Sequence, residues 1–373
     1  MANETYDVIV IGLGVVGAAA AYHLAGSGLR VLGLEQFPIN HDKGSSYGES
    51  RIIRYAYQDA VYVEMAKQAF PLWRALEAEN AYHLLTVTGG LDFGAAQNAA
   101  LRATRSQLTA AGIAHEWLTP GETARRFPQF RLDDDMMAVY QPDAGALNAS
   151  ACVVALVAEA QKRGAVLCDN TPAYHIDVQT DSVVVHSARG THSAGRVVLA
   201  AGAWMGKLLR ALDLGLPLLP TREEQVFFET HNNPDFQAGR FPVFIQHGAT
   251  VYYGLPDAGT GLKVGIHGRS QHVDPDHVTR EADPAYAQKV RNWTGRYIPS
   301  GAGGVRETRV CLYTMTPDEH FIIDTHPAHK HVVIGSACSG HGFKFGILTG
   351  KMLAGLAQGE RLNHDLFNLR RFL

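Results

Sequence analysis

Cysteine is scarce in this 373-residue sequence, and its distribution excludes two classes of protein. The four cysteines are far apart and form no C-x-x-C pair; they are Cys152, Cys168, Cys311 and Cys338. A small secreted domain held by disulfides has a much higher density, and a zinc or dithiol redox motif has closely spaced pairs. We therefore expect free thiols and a reducing, cytoplasmic location.

The sequence also lacks an excess of charge of either sign. Lysine and arginine number 33 and aspartate and glutamate 36, which gives a formal net charge of -3. Nucleic acids and anionic membranes attract basic proteins, so we expect neither as a partner. With 46% hydrophobic residues, the chain can build one large domain or two moderate ones. A small molecule is the partner that fits this composition.

One long uncharged run occurs near the start, and its surroundings argue against a membrane segment. Residues 8–25 carry no Asp, Glu, Lys or Arg and approach the length of a bilayer span. However, Glu4 and Asp7 precede the run where a signal peptide has positive charge, and three glycines interrupt it. The final residues, RFL, do not form a peroxisomal S-K-L signal. We expect no membrane partner.

The same run has the pattern of a dinucleotide-binding turn. Tyr6 to Ile11 (YDVIVI) is typical of a buried parallel strand, and Gly12, Gly14 and Gly17 follow it at G-x-G-x-x-G spacing. Gly12 allows a tight turn, Gly14 lets a pyrophosphate approach the backbone, and Gly17 lets the helix pack closely on the strand. The helix N-terminus then faces the phosphate charge.

The residues that follow complete a βαβ unit. The spacing predicts a helix over Val15 to Leu24, an end at Gly28 and a second strand from Arg30 to Glu35. Glu35 stands where an acid accepts hydrogen bonds from ribose hydroxyls and repels a 2′-phosphate. FAD, NAD and other adenosine ligands all use this unit, so the unit alone leaves the ligand open.

Two later segments favour a flavin. Arg196 to Ala203 (RVVLAAGA) and His331 to Ala337 (HVVIGSA) are apolar strands of the kind that return to a nucleotide domain. Ser339 to Phe345 (SGHGFKF) precedes a predicted helix from Gly346 to Ala357. The N-terminus of that helix can stabilise negative charge on a reduced flavin.

Two basic or histidine-rich segments have less certain roles. Arg51 and Arg54 lie on one face if their segment is helical, so they can meet one anionic group, but a solvated basic turn explains them equally well. His326, His329 and His331 occur within six residues, without acids or cysteines at ligand spacing. We interpret them as a turn between two strands and expect no metal site.

Five motifs in order give the sequence a specific resemblance. They are RIIRYAY (51–57), VYYGLP (251–256), GLKVGIH (261–267), VCLYTMTPDEHFIID (310–324) and SGHGFKF (339–345). The sequence is similar to the monomeric sarcosine oxidase family, which also contains N-methyltryptophan oxidase and peroxisomal sarcosine and pipecolate oxidases. The similarity extends over nearly the whole chain.

The resemblance implies an α/β fold in which a Rossmann-like, GR2/DAAO-like FAD-binding domain carries a second, mixed-sheet α+β substrate domain. We expect the FAD-binding domain to comprise residues 1–85, 140–215 and 325–373. The substrate domain then comprises 86–139 and 216–324, with HEWL, TREEQVFFE and VYYGLP as strands.

The resemblance also assigns the reactive residues. It implies that Cys311 is joined to the 8α-methyl group of FAD, although Tyr47 stands where the family commonly has histidine. Arg54 and Lys344 correspond to the cations that hold the substrate carboxylate. Lys263 matches the lysine that promotes oxygen reduction over the flavin, and Arg51 an arginine beside the reaction centre.

Further residues follow from the same resemblance. Tyr253, Tyr313 and His267 match the substrate cavity, where we assign His267 to polarity and shape rather than proton abstraction, and Gln246 is a further candidate for substrate binding. The remaining residues expected to bind the cofactor are Ser45, Ser50, Pro172, Gly202, Trp204, Gly340, His341 and Gly342.

The expected activity is oxidation of a secondary amino acid such as sarcosine by a monomeric enzyme. The family transfers hydride from the amine to flavin N5, reduces O2 to hydrogen peroxide, and releases an imine that hydrolyses, giving formaldehyde from N-methyl substrates. Alternatives are an oxidase or dehydrogenase of another amine or a larger N-alkyl amino acid, and a non-catalytic flavin-binding redox sensor.

Overall fold

A computed structural model describes residues 5–79, 83–230, 233–268, 271–362 and 364–373 of the chain. The strands in these ranges are β1 (Thr5–Ile11), β2 (Val31–Leu34), β3 (Arg51–Ile53), β4 (Leu85–Val87), β5 (Gly90–Ala95), β6 (Glu116–Leu118), β7 (Met136–Gln141), β8 (Gly145–Leu147), β9 (Val166–Cys168), β10 (Ala173–Val178), β11 (Val183–Ser187), β12 (Gly190–Leu199), β13 (Leu219–Phe228), β14 (Val243–His247), β15 (Val251–Leu255), β16 (Leu262–His267), β17 (Val305–Met315), β18 (Ile322–Thr325) and β19 (Val332–Ser336).

The α-helices of the described ranges are α1 (Val15–Gly26), α2 (Ala60–Glu79), α3 (Ala99–Ala110), α4 (Pro120–Arg126), α5 (Ala149–Lys162), α6 (Met205–Arg210), α7 (Pro284–Tyr297) and α8 (Gly346–Ala357). The helix predicted after SGHGFKF has the bounds observed for α8. Within the described ranges, no helix combines the length and the apolarity that a bilayer crossing requires.

The first sheet is built around β1 and confirms the predicted βαβ unit. Its order is β10-β11-β12-β1-β2-β9, with β19 also paired to β12 and β18 to β19. β12, β1 and β2 run parallel, so their carboxyl ends meet at one edge, where an α/β sheet binds its ligand. The predicted strand at 196–203 begins earlier and ends at Leu199, because Gly202 turns the chain at φ +51°.

Helix α1 packs against the first sheet and against α8 through small side chains. Ala18 to Ala21 are fully buried. A Cβ on Gly350 of α8 would lie 2.4 Å from the Cβ of Ala19, so the two helices approach closely because this residue is glycine. α8 is thereby fixed against the glycine turn that starts α1.

The second sheet forms a roof of mixed strands. Its order is β17-β13-β16-β15-β14-β5-β7-β6; β14 and β5 are parallel, whereas the other neighbours are antiparallel. The segments HEWL, TREEQVFFE and VYYGLP contribute β6, β13 and β15, as predicted. Its outer face packs on an aromatic core that includes Phe93, Phe244 and Trp293.

A third, three-stranded sheet has the order β3-β8-β4. The segment with the two arginines therefore does not meet the condition, helical structure, under which both would share one helix face. Arg51 to Ile53 form a strand that pairs antiparallel with β8, which suits their two β-branched isoleucines. The segment HPAHKH joins β18 to β19 as a hairpin, in agreement with the predicted turn.

Candidate active site

A first cavity lies at the carboxyl ends of β1, β2, β12 and β19. It has a volume of about 300 Å³, and seven residues predicted to bind a cofactor line it: Gly12, Gly14, Glu35, Ser45, Pro172, Gly202 and Trp204. Chain segments far apart in sequence meet here because parallel strands deliver their following loops to one edge of the sheet.

The glycine turn leaves no room for side chains. Gly12 has φ +91°, and a Cβ on it would lie 2.6 Å from the carbonyl oxygen of Ala200. A Cβ on Gly17 would lie 1.8 Å from the carbonyl oxygen of Gly12. Gly17 thus packs behind the turn and does not line the cavity. The first N–H of α1, on Val15, donates to Ser46 Oγ at 3.1 Å, which shows that it faces the space where a phosphate would sit.

The far end of this cavity offers hydrogen-bond acceptors. The buried Glu35 accepts from the N–H of Leu13 at 2.8 Å and from that of Phe37 at 3.2 Å. Asn40 Oδ1 also borders the cavity and is buried without a partner among the described residues. A buried acceptor without a donor is costly, so the site fits the hydroxyl and amino donors of adenosine.

The second cavity continues from the first. It has a volume of about 430 Å³ and shares Ser45, Cys338 and Phe343 with it. The second sheet roofs it, and the turn before α8 closes it from the opposite side. A ligand long enough to fill the first cavity can therefore extend under the roof, as a dinucleotide carrying an isoalloxazine ring requires.

Lys344 projects into the second cavity from the turn before α8. Its Nζ donates to Tyr57 Oη at 2.8 Å and to the carbonyl oxygen of His341 at 2.7 Å. Its carbonyl accepts from Trp73 Nε1 at 2.8 Å, which fixes the backbone. Burial, and secondarily the charge of Arg54, hold the pKa of Lys344 well below its usual value. A carboxylate entering this site would offset both effects.

Arg54 reaches the same cavity and is held by a buried acid. Its Nη1 donates to Asp92 Oδ1 at 2.9 Å and to the carbonyl oxygen of Ala56. His247 Nε2 lies 2.9 Å from the same Asp92 oxygen. Nη1 makes both of the hydrogen bonds that Arg54 forms with described residues, so its other N–H groups are available to a ligand.

Lys263 is buried in the roof, with 3% of its surface exposed. Its Nζ donates to the carbonyl oxygen of Ser50 at 3.0 Å. Arg51 donates to that same oxygen and to the carbonyl oxygen of Ser45, both at 2.9 Å. Burial, followed by the charge of Arg51, lowers the pKa of Lys263 well below its usual value. Negative charge that forms beside these two cations would be stabilised by them.

Cys311 lies in β17 and lines the second cavity. Its Sγ accepts from Gln225 Nε2 at 3.3 Å. Burial raises the pKa of the thiol, and the charges of Arg51 and Lys263 act in the opposite direction. Burial, followed by the charge of the nearby Cys311 thiolate, raises the pKa of Tyr47 to about 12.

His267 and Tyr313 border the cavity beside Gly340. A Cβ on Gly340 would lie 2.5 Å from His267 Cε1 and 2.6 Å from the Tyr313 ring. Burial, with smaller contributions from the charges of Lys344 and Arg54, lowers the pKa of His267 to about 4. The imidazole is therefore neutral at physiological pH.

Strand alternation decides which residues of β14 face the cavity. Ile245 pairs with Tyr253, and both line the cavity together with His247. Gln246 pairs with Tyr252 instead and points to the other face of the sheet. The structure thus places Gln246 outside the cavity, because a one-residue offset along a strand reverses the side chain.

The structure brings most of the predicted residues together around the second cavity. Those that line it are Ser45, Arg51, Arg54, Tyr253, Lys263, His267, Cys311, Tyr313, Gly340, His341, Gly342 and Lys344. Ser50 does not line it, but its carbonyl anchors both Arg51 and Lys263. Gly17 and Gln246 lie elsewhere, as described above.

The sequence interpretation missed several residues of the site, among them four around the second cavity. Tyr57 belongs to the motif RIIRYAY and was detectable there. Asp92 interrupts the apolar strand GGLDFG, and an acid in a buried strand is a signal for a partner. His247 and Thr104, which also line the second cavity, gave no signal without the strand register and the helix position.

Comparisons with known proteins agree with this geometry. The model of the FAD dependent oxidoreductase family (DAO) matches residues 7–356. Monomeric sarcosine oxidase of Bacillus sp. (strain NS-129) is 36% identical over 376 residues, covering 98% of this chain and 97% of the relative. Human peroxisomal sarcosine oxidase is 32% identical, with coverage of 99% and 97%. N-methyl-L-tryptophan oxidase of Salmonella heidelberg (strain SL476) is 30% identical, with coverage of 98% and 99%.

Solved structures share the whole fold. The open form of NikD, an unusual amino acid oxidase essential for nikkomycin biosynthesis, superimposes with a TM-score of 0.86 at 27% identity and covers 98% of both chains. Glycine oxidase from Geobacillus kaustophilus superimposes with a TM-score of 0.84 at 22% identity over 99% of each chain, which shows the fold. The chain therefore belongs to the FAD dependent oxidoreductase family and, within it, to the group that contains monomeric sarcosine oxidase.

Proposed function

We propose that this protein is an FAD-dependent oxidase of a secondary amino acid, either N-methylated or cyclic. The observation that carries the proposal is that the largely buried side chains of Arg54, Lys344 and Lys263 line one cavity. Arg54 is paired with Asp92, whereas neither lysine forms an ion pair with a described residue, and buried cations need anionic partners. A substrate carboxylate and reduced oxygen species supply them, in agreement with the activities that name the sarcosine oxidase relatives.

The residues that would hold FAD surround the first cavity and its continuation. Gly12, Gly14 and the N-terminus of α1 suit the pyrophosphate, and Glu35 and Asn40 suit the adenosine. When bound, FAD would supply the acceptor for a hydride from the substrate and the donor of electrons to dioxygen. Arg51 and Lys263 are placed to stabilise the negative charge that accompanies both events.

The chain's own residues position the amino acid. Lys344 and the free N–H groups of Arg54 bind its carboxylate, which fixes the C–H bond beside the nitrogen. Neutral His267 adds no charge that would repel the amine. The aromatic rings of Tyr253 and Tyr313 exclude water from the site. The amino acid loses a hydride and a proton, and water converts the resulting imine to an aldehyde and an amine.

We also propose that Cys311 carries the flavin covalently. The thiol lines the cavity beside two cations that favour its thiolate. Cys338 offers a matched control because it borders both cavities. Acid precipitation of the Cys311→Ser variant is expected to release the flavin into the supernatant, whereas the Cys338→Ser variant retains it in the pellet. Retention in both variants contradicts the bond.

Three broader features belong to the same proposal. The FAD-binding domain comprises residues 1–85, 140–215 and 325–373, and the substrate domain 86–139 and 216–324. Most strands of the first sheet fall in the former and most of the second in the latter, which supports this division, although β7 and β18 cross its bounds. We propose that the enzyme is monomeric and cytoplasmic. The four free cysteines support a reducing compartment.

The decisive experiment compares each secondary amino acid with its methyl ester. Peroxide release is measured with sarcosine, N-methylalanine and proline, and then with the corresponding esters at equal concentration. We expect peroxide from at least one free acid and a loss of about 100-fold or more in kcat/KM for its ester, because the cations lose their anionic partner. Equal rates for acid and ester would refute carboxylate binding, and absence of peroxide throughout would refute the oxidase.

A further inference from the structure

At one end of the second cavity, the positive charge of Arg54 and the negative charge of Asp92 form a buried ion pair. Asp92 is 3% exposed, and its Oδ1 accepts from Arg54 Nη1 at 2.9 Å. The same oxygen lies 2.9 Å from His247 Nε2. One carboxylate therefore serves one guanidinium and one imidazole.

This arrangement orients the ring of His247. The carboxylate of Asp92 accepts, so Nε2–H of His247 donates to it, and Nδ1 is the ring nitrogen left to a ligand. No hydrogen bond links Nδ1 to another described residue. The side chain, 8% exposed, lines the cavity.

A second unsatisfied group borders the same end. Leu101, Thr104 and Leu108 lie at i, i+3 and i+7 on one face of α3, and the two leucines pack in a cluster with Ala56. The carbonyl of Ala56 accepts from Arg54. Thr104 thus faces the segment that the guanidinium contacts. Its Oγ1 is buried without a partner among the described residues, and the residue lines the cavity.

The strand register places this end away from Lys263. His267 pairs with Val251, and His247 continues the same row of side chains two residues beyond Ile245. Lys263 lies four residues from His267 along β16, which is about 13 Å in an extended strand. The end that contains His247 and Thr104 is therefore distinct from the region assigned to oxygen.

We propose that His247 and Thr104 form a side-chain subsite that selects amino acids ending in a carboxamide. His247 Nδ1 accepts from the amide N–H, and Thr104 Oγ1 donates to the amide oxygen. A neutral group is favoured because the Arg54–Asp92 pair leaves no net charge to balance. This inference rests on the proposed function, since the amino acid's carboxylate must occupy Lys344 and Arg54 for its side chain to reach this end.

A binding experiment on the holoprotein tests the subsite without turnover. Succinamate and 4-methylpentanoate have the carbon skeletons of asparagine and leucine without the amine, so they match in shape and differ in polarity. Their dissociation constants are measured from the change in flavin absorbance. We expect succinamate to bind about tenfold or more tightly, the effect of one to two hydrogen bonds. Equal or tighter binding of 4-methylpentanoate would overturn the subsite.

Variants separate recognition from structural support. Thr104→Val keeps the shape and removes the hydroxyl, so the preference for succinamate is expected to fall about tenfold, whereas Thr104→Ser retains it. Thr294→Val, a buried helix position outside the cavity, serves as the control. Equal weakening of both ligands by Thr104→Val would indicate a structural role and overturn the proposal.

A turnover comparison distinguishes this failure from failure of the enzyme assignment. N-methylasparagine is expected to have a kcat/KM about tenfold or more above that of N-methylleucine. If neither compound nor any other secondary amino acid reduces the flavin, the proposed function fails, while the binding ratio still decides on the subsite. If N-methylleucine is the better substrate, the subsite fails and the oxidase stands.

Discussion

Replacing Asp92 with asparagine is expected to destabilise the free protein and to strengthen its binding of a carboxylate. Asp92 is buried and is the carboxylate that Arg54 contacts at 2.9 Å. Removing one partner of a buried ion pair costs about 3–5 kcal/mol, because the other charge stays buried. Asparagine keeps an acceptor oxygen for the guanidinium, so we expect a loss near the lower limit, about 3 kcal/mol.

The same substitution makes the site more positive. Arg54 then lacks the balancing charge of Asp92, and a bound carboxylate supplies it. A carboxylate ligand such as 4-methylpentanoate is therefore expected to bind Asp92→Asn more tightly than the unmodified protein. Stability and affinity would thus change in opposite directions, which a general loss of structure would not produce.

Urea unfolding followed by intrinsic fluorescence, with and without the carboxylate, measures both effects. Asp235→Asn is the matched control, because its pair with Arg240 is exposed and such pairs contribute about 1 kcal/mol or less. A loss below about 1 kcal/mol in Asp92→Asn, or weaker binding of the carboxylate, would refute the reasoning.

Further substitutions test the other parts of the site. Lys263→Met is expected to slow reoxidation of reduced flavin by dioxygen at least about tenfold while anaerobic reduction by substrate changes little, measured by stopped flow. Lys344→Gln is expected to raise KM for the amino acid at least about tenfold, with a smaller effect on its methyl ester. Gly17→Ala is expected to abolish flavin binding, since its Cβ would lie 1.8 Å from a carbonyl oxygen. Folding lowers the pKa of His267 from 6.5 to about 4, so the unfolded chain binds more protons than the folded protein between these pH values. The free energy of unfolding is therefore expected to fall as the pH decreases from 6.5 to 4. The fall is expected to be less steep in His267→Gln.

Local chemistry made much of the fold predictable. Gly12 and Gly17 cannot carry side chains without striking a carbonyl oxygen, so the glycine spacing specified the turn. The helix α8 was also predictable, because its small and apolar residues follow a glycine-rich turn. The strand at Arg51 was not predicted, because two arginines three apart fit a helix or a basic turn equally well, and only the pairing with β8 shows a strand.

The site residues that belong to sequence motifs could be predicted. Those that reach the site through the pairing register of the strands could not. Lys263, Cys311 and Lys344 lie in motifs that the family resemblance made recognisable. Asp92 and His247 are 155 positions apart along the chain, and the parallel pairing of β5 with β14 brings them together. Gln246 was assigned to the cavity in error because a sequence does not show which of two successive strand residues faces inward.

Anaerobic titration of the purified holoprotein with a secondary amino acid, followed by admission of air, tests the central claim most directly. The account predicts that the visible flavin absorbance bleaches with the free amino acid, is little affected by its methyl ester, and returns in air with peroxide equal to the flavin reoxidised. Flavin that stays oxidised with every secondary amino acid, or that returns without peroxide, would contradict it.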